Sequence, residues 1–132
     1  MKEQYVGDVN DYRKYALLRL RGRSGLRLGV CWMLTPNDER SNGNKLGYLD
    51  QPSYERHDPE LFALLRQVKD APDAQRLMLI ENSEVLPDTI FVNTVVPDAL
   101  FERQMWFRQA VVAPQKPGHF SRCCMGRDEL AG

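Results

Sequence analysis

Hydrophobic positions recur along the chain first at a helical and then at an alternating spacing. Between Asp11 and Arg21 the apolar residues lie near helical spacing and charged residues separate them. This pattern predicts a first helix over that range, which Gly22 and Gly25 end. From Leu26 to Leu34 every second residue is apolar, which is typical of a strand. Its other face is also largely apolar, so we expect an interior strand covered on both faces at the centre of a sheet.

Two further segments carry clear signals for a helix and a strand, and a third is ambiguous. Asp58 followed by Pro59 is typical of a helix start, and Pro72 of the end. The apolar face of this helix contains Leu61, Phe62, Leu64, Leu65 and Val68. The run from Thr89 to Val96 is rich in β-branched residues and predicts a second strand. The segment from Ala74 to Ile80 fits a helix or a strand equally well.

A last helix begins near Pro97 and Asp98 and ends by Pro114. Its apolar residues include Phe101 and Trp106, which we expect to lie in the core. Helices and strands therefore alternate, which predicts a small α/β fold of two or three layers with a parallel or mixed sheet. A chain of 132 residues, 42% hydrophobic, is large enough for one core. We expect one α/β domain over 1–113 and a weakly ordered tail or cap over 114–132.

Charge and composition narrow the classes of partner. The chain has 18 Lys and Arg and 18 Asp and Glu, so no net field favours nucleic acid, which would need a local patch. No apolar run approaches the roughly 20 residues that span a bilayer, and the N-terminus has no apolar signal region. Three cysteines do not make a complete disulfide framework. These features predict a cytoplasmic protein without membrane contact.

The densest polar motif lies at the start of the first helix. It contributes five candidate ligand-binding residues, Asp8, Asn10, Asp11, Tyr12 and Lys14. Free backbone amides at a helix start attract phosphate or carboxylate groups, which favours an anion or cofactor contact. The alternative is capping, in which Asn10 or Asp11 accepts hydrogen bonds from those amides and the tyrosines are half-buried.

A second candidate region follows the first predicted strand. The polar, turn-rich loop from Thr35 to Gly47 contains Asn37, Asp38 and Arg40. Ligands of open α/β sheets bind beyond the carboxyl ends of strands, so these three residues are candidate ligand-binding residues, and turn formation is the alternative. We expect any small-molecule site to lie between this loop and the helix start. His119 and Cys123 lack a full set of zinc ligands, and no metal site is predicted.

The N-terminal motif also carries a family resemblance. The stretch from Tyr5 to Arg19 contains the pairs Gly7-Asp8, Asp11-Tyr12 and Lys14-Tyr15, and Leu28-Gly29-Val30 follows it. It resembles the opening of a family of bacterial and prophage proteins, distantly similar to Rossmann-like methyltransferases that modify adenine in ribosomal RNA. The resemblance implies a partial Rossmann-like fold, a mobile-element origin and S-adenosylmethionine as the candidate cofactor.

One family motif is missing from this chain. Longer members carry Asp-Pro-Asp-Asn-Gly after a strand, and neither this motif nor Asp-Pro-Pro-aromatic occurs here. If methyl transfer depends on it, the resemblance implies a shortened member without chemistry. Whether the protein is an enzyme stays open between two hypotheses. The first is a non-catalytic protein that binds a protein partner or forms a homodimer through Ile90 to Val96. The alternative is an S-adenosylmethionine-dependent nucleic-acid methyltransferase-like enzyme.

Overall fold

Helices alternate with two short strands in the computed structural model, which describes residues 1–40 and 45–112. The helices are α1 (Val9–Arg23), α2 (Pro52–Glu55), α3 (Pro59–Asp70), α4 (Asp73–Glu81) and α5 (Leu100–Val112), with short 3-10 turns at Glu3–Tyr5 and Gly47–Asp50. The strands are β1 (Gly29–Cys31) and β2 (Ile90–Val92). The chain divides into two compact units. Of the described residues, the first unit contains 1–28, 36–40 and 45–88, and the second contains 29–35 and 89–112.

The first unit is helical and is built around α3. Asp58 caps α3 by accepting a hydrogen bond from the amide of Leu61 at 3.2 Å, and Pro59 occupies the first turn. The helix ends at Asp70, before Pro72, because a proline disfavours helical backbone at the residue that precedes it. Its buried face packs toward α1 and α4. That face consists of Leu61, Phe62, Leu65 and Val68, whereas Leu64 is only half-buried.

The second unit contains a parallel strand pair and one helix. Gly29, Val30 and Cys31 of β1 pair in register with Ile90, Phe91 and Val92 of β2. Leu34 and Val95 form an isolated parallel bridge further along. The indole of Trp32 stacks on Phe91, with ring centroids 5.6 Å apart and planes within 4° of parallel. Trp106 and Ala110 of α5 are buried against Val92.

The prediction of an interior strand from Leu26 to Leu34 is wrong. The strand spans three residues, and among the described residues it pairs with β2 alone, so its other edge is open. Leu26 and Met33, which the pattern places in covered positions, are each more than half exposed. Met33 has a φ of +48°, which removes it from extended geometry and ends the strand before Leu34. The alternating apolar pattern therefore correctly predicts a strand in this segment. It overestimates the length of the strand and how far neighbouring elements cover it.

The coarser fold prediction is confirmed. The chain combines helices with parallel strands, as a small α/β protein does. α1 and α3 lie where the sequence predicts them, and the segment from Ala74 to Ile80, left open between helix and strand, belongs to α4. The predicted tail over 114–132 lies outside the described residues. The division at position 113 therefore stays a prediction.

Candidate functional site

Asp8 is the residue that caps α1. Its Oδ1 atom accepts hydrogen bonds from the amides of Asn10 at 2.8 Å and Asp11 at 2.9 Å. The backbone donors that could have held an anion are therefore bonded to a side chain of the chain itself. The capping alternative is the arrangement found, with Asp8 in the role that the sequence assigned to Asn10 or Asp11.

Asp11 is buried and binds the backbone just before the helix. Its Oδ2 atom accepts a hydrogen bond from the amide of Gly7 at 3.0 Å, and its Oδ1 atom lies 2.9 Å from Nζ of Lys14. Gly7 has a φ of +96°, a conformation that side chains disfavour, so glycine permits the turn that presents this amide. Burial, followed by the charge of Asp11, raises the pKa of the neighbouring Tyr15. The carboxylate thus holds the turn, the helix and Lys14 together.

Tyr12 belongs to an aromatic cluster under the same helix. Its hydroxyl donates to the backbone oxygen of Tyr54 at 2.8 Å, and the hydroxyl of Tyr48 donates to the oxygen of Gly7 at 2.8 Å. The rings of Tyr12, Tyr48, Tyr54 and Phe62 meet at centroid distances of 5.5 to 6.4 Å. Burial, together with the charge of Asp11, raises the pKa of Tyr48. The phenol of Tyr48 is therefore held as a neutral structural group.

Gln4 organises the second predicted region. Its side chain accepts from the amide of Asp38 at 2.8 Å and donates to Asp38 Oδ1 at 3.1 Å and to the oxygen of Arg40 at 2.8 Å. The backbone amide of Gln4 donates to Oδ1 of Asn37 at 3.3 Å. Lys2 forms an ion pair with Asp38, and its hydrogen bond is the main cause that lowers the pKa of that carboxyl group. We call this arrangement the Gln4 clasp.

The eight predicted site residues form two separate groups. Asp8, Asn10, Asp11, Tyr12 and Lys14 surround the start of α1, whereas Asn37, Asp38 and Arg40 bind the segment from Lys2 to Tyr5. Among the described residues no hydrogen bond joins the groups directly. A ligand site between them stays a prediction. The sequence offered no signal for Gln4, because one glutamine in a polar segment has no characteristic spacing.

α5 displays a different surface, made of large apolar side chains. Only Trp106 and Ala110 among its residues are buried. Six apolar residues of the helix are exposed, and we call them the α5 surface: Leu100, Phe101, Met105, Phe107, Val111 and Val112. Leu100 is 72% exposed and Phe101 71%. The prediction that Phe101 lies in the core is therefore wrong, whereas the same prediction for Trp106 is confirmed.

Such a helix differs from an ordinary surface helix. A surface helix normally presents polar residues opposite its buried stripe, yet here the exposed side carries two phenylalanines. Contiguous exposed apolar side chains mark interaction sites in soluble proteins. The sequence also predicts association through Ile90 to Val96, where Val92 is buried, Phe91 stacks on Trp32 and Val95 is the one large apolar residue that is more than half exposed. The α5 surface is therefore the stronger candidate for an interface.

Comparisons with protein families, with curated proteins and with solved structures found no match to this chain. Within residues 1–40 and 45–112, no three His, Cys, Asp or Glu side chains are grouped so that they could hold a metal ion. No helix in this part of the chain has the length and apolar character needed to cross a membrane.

Proposed function

We propose that this chain is a small non-catalytic binding protein that associates with protein through the α5 surface, and that a second copy of the chain is the partner. The observation that carries the proposal is the exposure of Leu100, Phe101 and Phe107 on one helix. Burying a large apolar side chain contributes about 1.5–3 kcal/mol, so covering several of them favours association. Part of that gain offsets the entropy that two molecules lose on binding.

Charge favours a second copy over a strongly charged partner. The net charge of the chain is zero, so two copies do not repel one another. The guanidinium of Arg103 is bound to the backbone oxygens of Pro97 and Asp98, which leaves Glu102 and Arg108 as the other charged side chains of α5. The α5 surface is apolar and has one remaining charge of each sign, so the α5 surface of one copy is complementary to that of a second copy. A two-fold dimer, the commonest homo-oligomer, pairs such a surface with its own copy.

Apolar residues of α5 recur at spacings that suit helix pairing. Leu100, Phe107 and Val111 are seven and four residues apart and share one stripe, with Gln104 between them. Two copies of this stripe can pack in antiparallel order, with apolar anchors at i, i+7 and i+11 and the polar Gln104 at i+4. Antiparallel order would place Leu100 near Val111 of the second copy. This arrangement leaves both ends of the stripe covered.

The family resemblance supports the remaining parts of the proposal. It is consistent with a protein of bacterial or prophage mobile-element origin on a partial Rossmann-like, methyltransferase-derived scaffold, in the cytoplasm. The S-adenosylmethionine-dependent alternative lacks a supporting observation of comparable weight. The polar side chains at the start of α1 bind the backbone and side chains of the chain itself, as Asp8 and Asp11 do. That alternative stays a prediction.

Photochemical crosslinking of the purified chain tests the proposed partner directly. Benzoylphenylalanine in place of Phe107 should give, on irradiation, a covalent product of twice the 15.2 kDa monomer mass. The same group in place of Leu20 is the matched control, because Leu20 is also an exposed apolar residue but lies on α1. Absence of the double-mass product at Phe107, or an equal yield at both positions, would contradict the proposal.

A further inference from the structure

The outer side of α1 carries two exposed leucines flanked by two exposed arginines. Leu17 is 56% exposed and Leu20 63%, and the side chains of Arg13 and Arg21 are exposed as well. These four residues follow the helical spacing i, i+4, i+7 and i+8, so they form one stripe, which we call the α1 stripe. It lies opposite the side of α1 that is buried in the first unit.

The α1 stripe belongs to a strongly basic part of the sequence. Between Asp11 and Asp38 the chain has six Lys and Arg residues and no Asp or Glu. Five of these six cations are exposed, and Arg19 is the buried one. A chain of zero net charge therefore has a local basic patch on α1 and just after it.

Contacts within the protein do not account for all of these charges. Among residues 1–40 and 45–112, Arg13 and Arg21 form no ion pair, whereas Lys14 lies 2.9 Å from Asp11. Arg21 is in the last turn of α1, where a cation is favourable beside the negative end of the helix dipole. Arg13 is in the second turn and gains nothing from the dipole, and the residues four positions before and after it are apolar. A bound partner would use Arg13 and the two exposed leucines.

We propose that the α1 stripe binds an acidic, leucine-rich helix of a partner protein. Apolar side chains of that helix cover Leu17 and Leu20, as in other complexes in which an amphipathic helix packs on an apolar surface. Its carboxylates pair with Arg13 and Arg21, which are eight residues and about 12 Å apart along the helix axis. Glutamates two helical turns apart match this distance. The α1 stripe and the α5 surface are different surfaces, so this proposal does not depend on dimer formation.

A protein helix fits the α1 stripe better than a nucleic acid or an anionic membrane does. The whole chain has equal numbers of cations and carboxylates, so the chain outside the basic segment has a net charge of −6. An extended polyanion meets that excess of carboxylates. A single helix contacts the stripe alone, because charges more than about 8 Å away are screened at physiological ionic strength. The leucines at the centre of the stripe also offer no hydrogen-bond donor to phosphate oxygens.

Fluorescence anisotropy of labelled synthetic peptides, titrated with the full chain, tests this proposal. The acidic peptide has leucine at heptad positions a and d and glutamate at e and g, and the lysine peptide has lysine in place of each glutamate. The acidic peptide should bind in a saturable way, and the lysine peptide at least about tenfold more weakly. Equal affinities, or no saturable binding of the acidic peptide up to about 1 mM protein, would overturn the proposal. Tighter binding of a DNA duplex or of phosphatidylglycerol vesicles than of the acidic peptide would overturn the choice of a protein partner.

Variants connect the binding to the α1 stripe. Arg13→Glu should weaken binding of the acidic peptide at least about tenfold and strengthen binding of the lysine peptide at least about threefold. Arg66→Glu makes the same change of charge at an exposed position of α3 and should leave both affinities within about twofold. Leu17→Ala provides a second route, because it keeps every charge and should still weaken the acidic peptide. Circular dichroism checks the fold of each variant. Unchanged binding in folded Arg13→Glu or folded Leu17→Ala, or an equal loss in Arg66→Glu, would rule out this site.

Discussion

Gln4 shows at the scale of a single residue how the N-terminal segment is fixed to the loop that follows β1 in sequence. The side chain is nearly buried and makes hydrogen bonds to Asp38 and Arg40. The backbone oxygen of Gln4 accepts a hydrogen bond from Arg76 Nη1 at 2.9 Å. These bonds span 34 to 72 positions in sequence. This side chain stabilises the fold because its polar atoms and those of its partners are paired in hydrogen bonds. Replacing it leaves several groups without a partner.

We expect Gln4→Leu to lower the free energy of unfolding by about 1–3 kcal/mol, because the amide of Asp38 and the oxygen of Arg40 lose their partner. Urea denaturation followed by circular dichroism measures the change. Gln67→Leu is the matched control, since Gln67 is exposed on α3 and its replacement should stay within about 0.5 kcal/mol of the parent. Equal effects of the two substitutions would contradict the role given to the Gln4 clasp.

The candidate residues at the start of α1 illustrate what sequence could and could not foresee. A run of Asp and Asn before an apolar periodic segment predicts a helix start, and Asp8 is the cap. The same run cannot show that Asp11 turns toward the amide of Gly7 or that Tyr12 bonds to Tyr54. Those contacts depend on where α2 and the preceding turn lie, and no local spacing encodes that.

At the scale of elements, prediction was best where capping and periodicity agree. α3 begins and ends as predicted because Asp58, Pro59 and Pro72 act on the backbone locally. β1 was overestimated because its length depends on a neighbouring strand, and the described chain gives it one partner. The burial of α5 was overestimated for the same reason. Helical spacing identifies apolar positions on a helix but does not show how many faces are covered.

The buried face of α3 gives the clearest test at this scale. Leu65→Ala should lower the free energy of unfolding by about 2–5 kcal/mol, because Leu65 is fully buried and its truncation leaves a cavity. Leu64→Ala, one residue earlier, should lower the free energy of unfolding by less, since Leu64 is half-buried. Thermal or urea unfolding of both variants measures the difference. A loss at Leu64 equal to or greater than that at Leu65 would contradict this orientation of the helix.

At the scale of the whole molecule, the proposed function depends on one apolar surface. The net charge of zero and the α5 surface come from different properties of the chain, and both favour association of like with like. The sequence predicts self-association as a way to cover an edge strand, with Ile90 to Val96 as the contributing segment. In that segment Val92 is buried and Val95 is 53% exposed, whereas α5 has six exposed apolar residues. The surface could not be located from sequence because its residues match the apolar pattern of a core helix.

Sedimentation velocity of the unmodified chain across micromolar concentrations tests the central claim most directly. The proposal predicts a species heavier than the 15.2 kDa monomer whose fraction grows with concentration. Phe107→Glu should shift the equilibrium to monomer because it places a charge within the α5 surface, whereas Leu20→Glu on α1 should leave it unchanged. A single species at the monomer mass at every concentration would contradict the claim that a second copy covers α5.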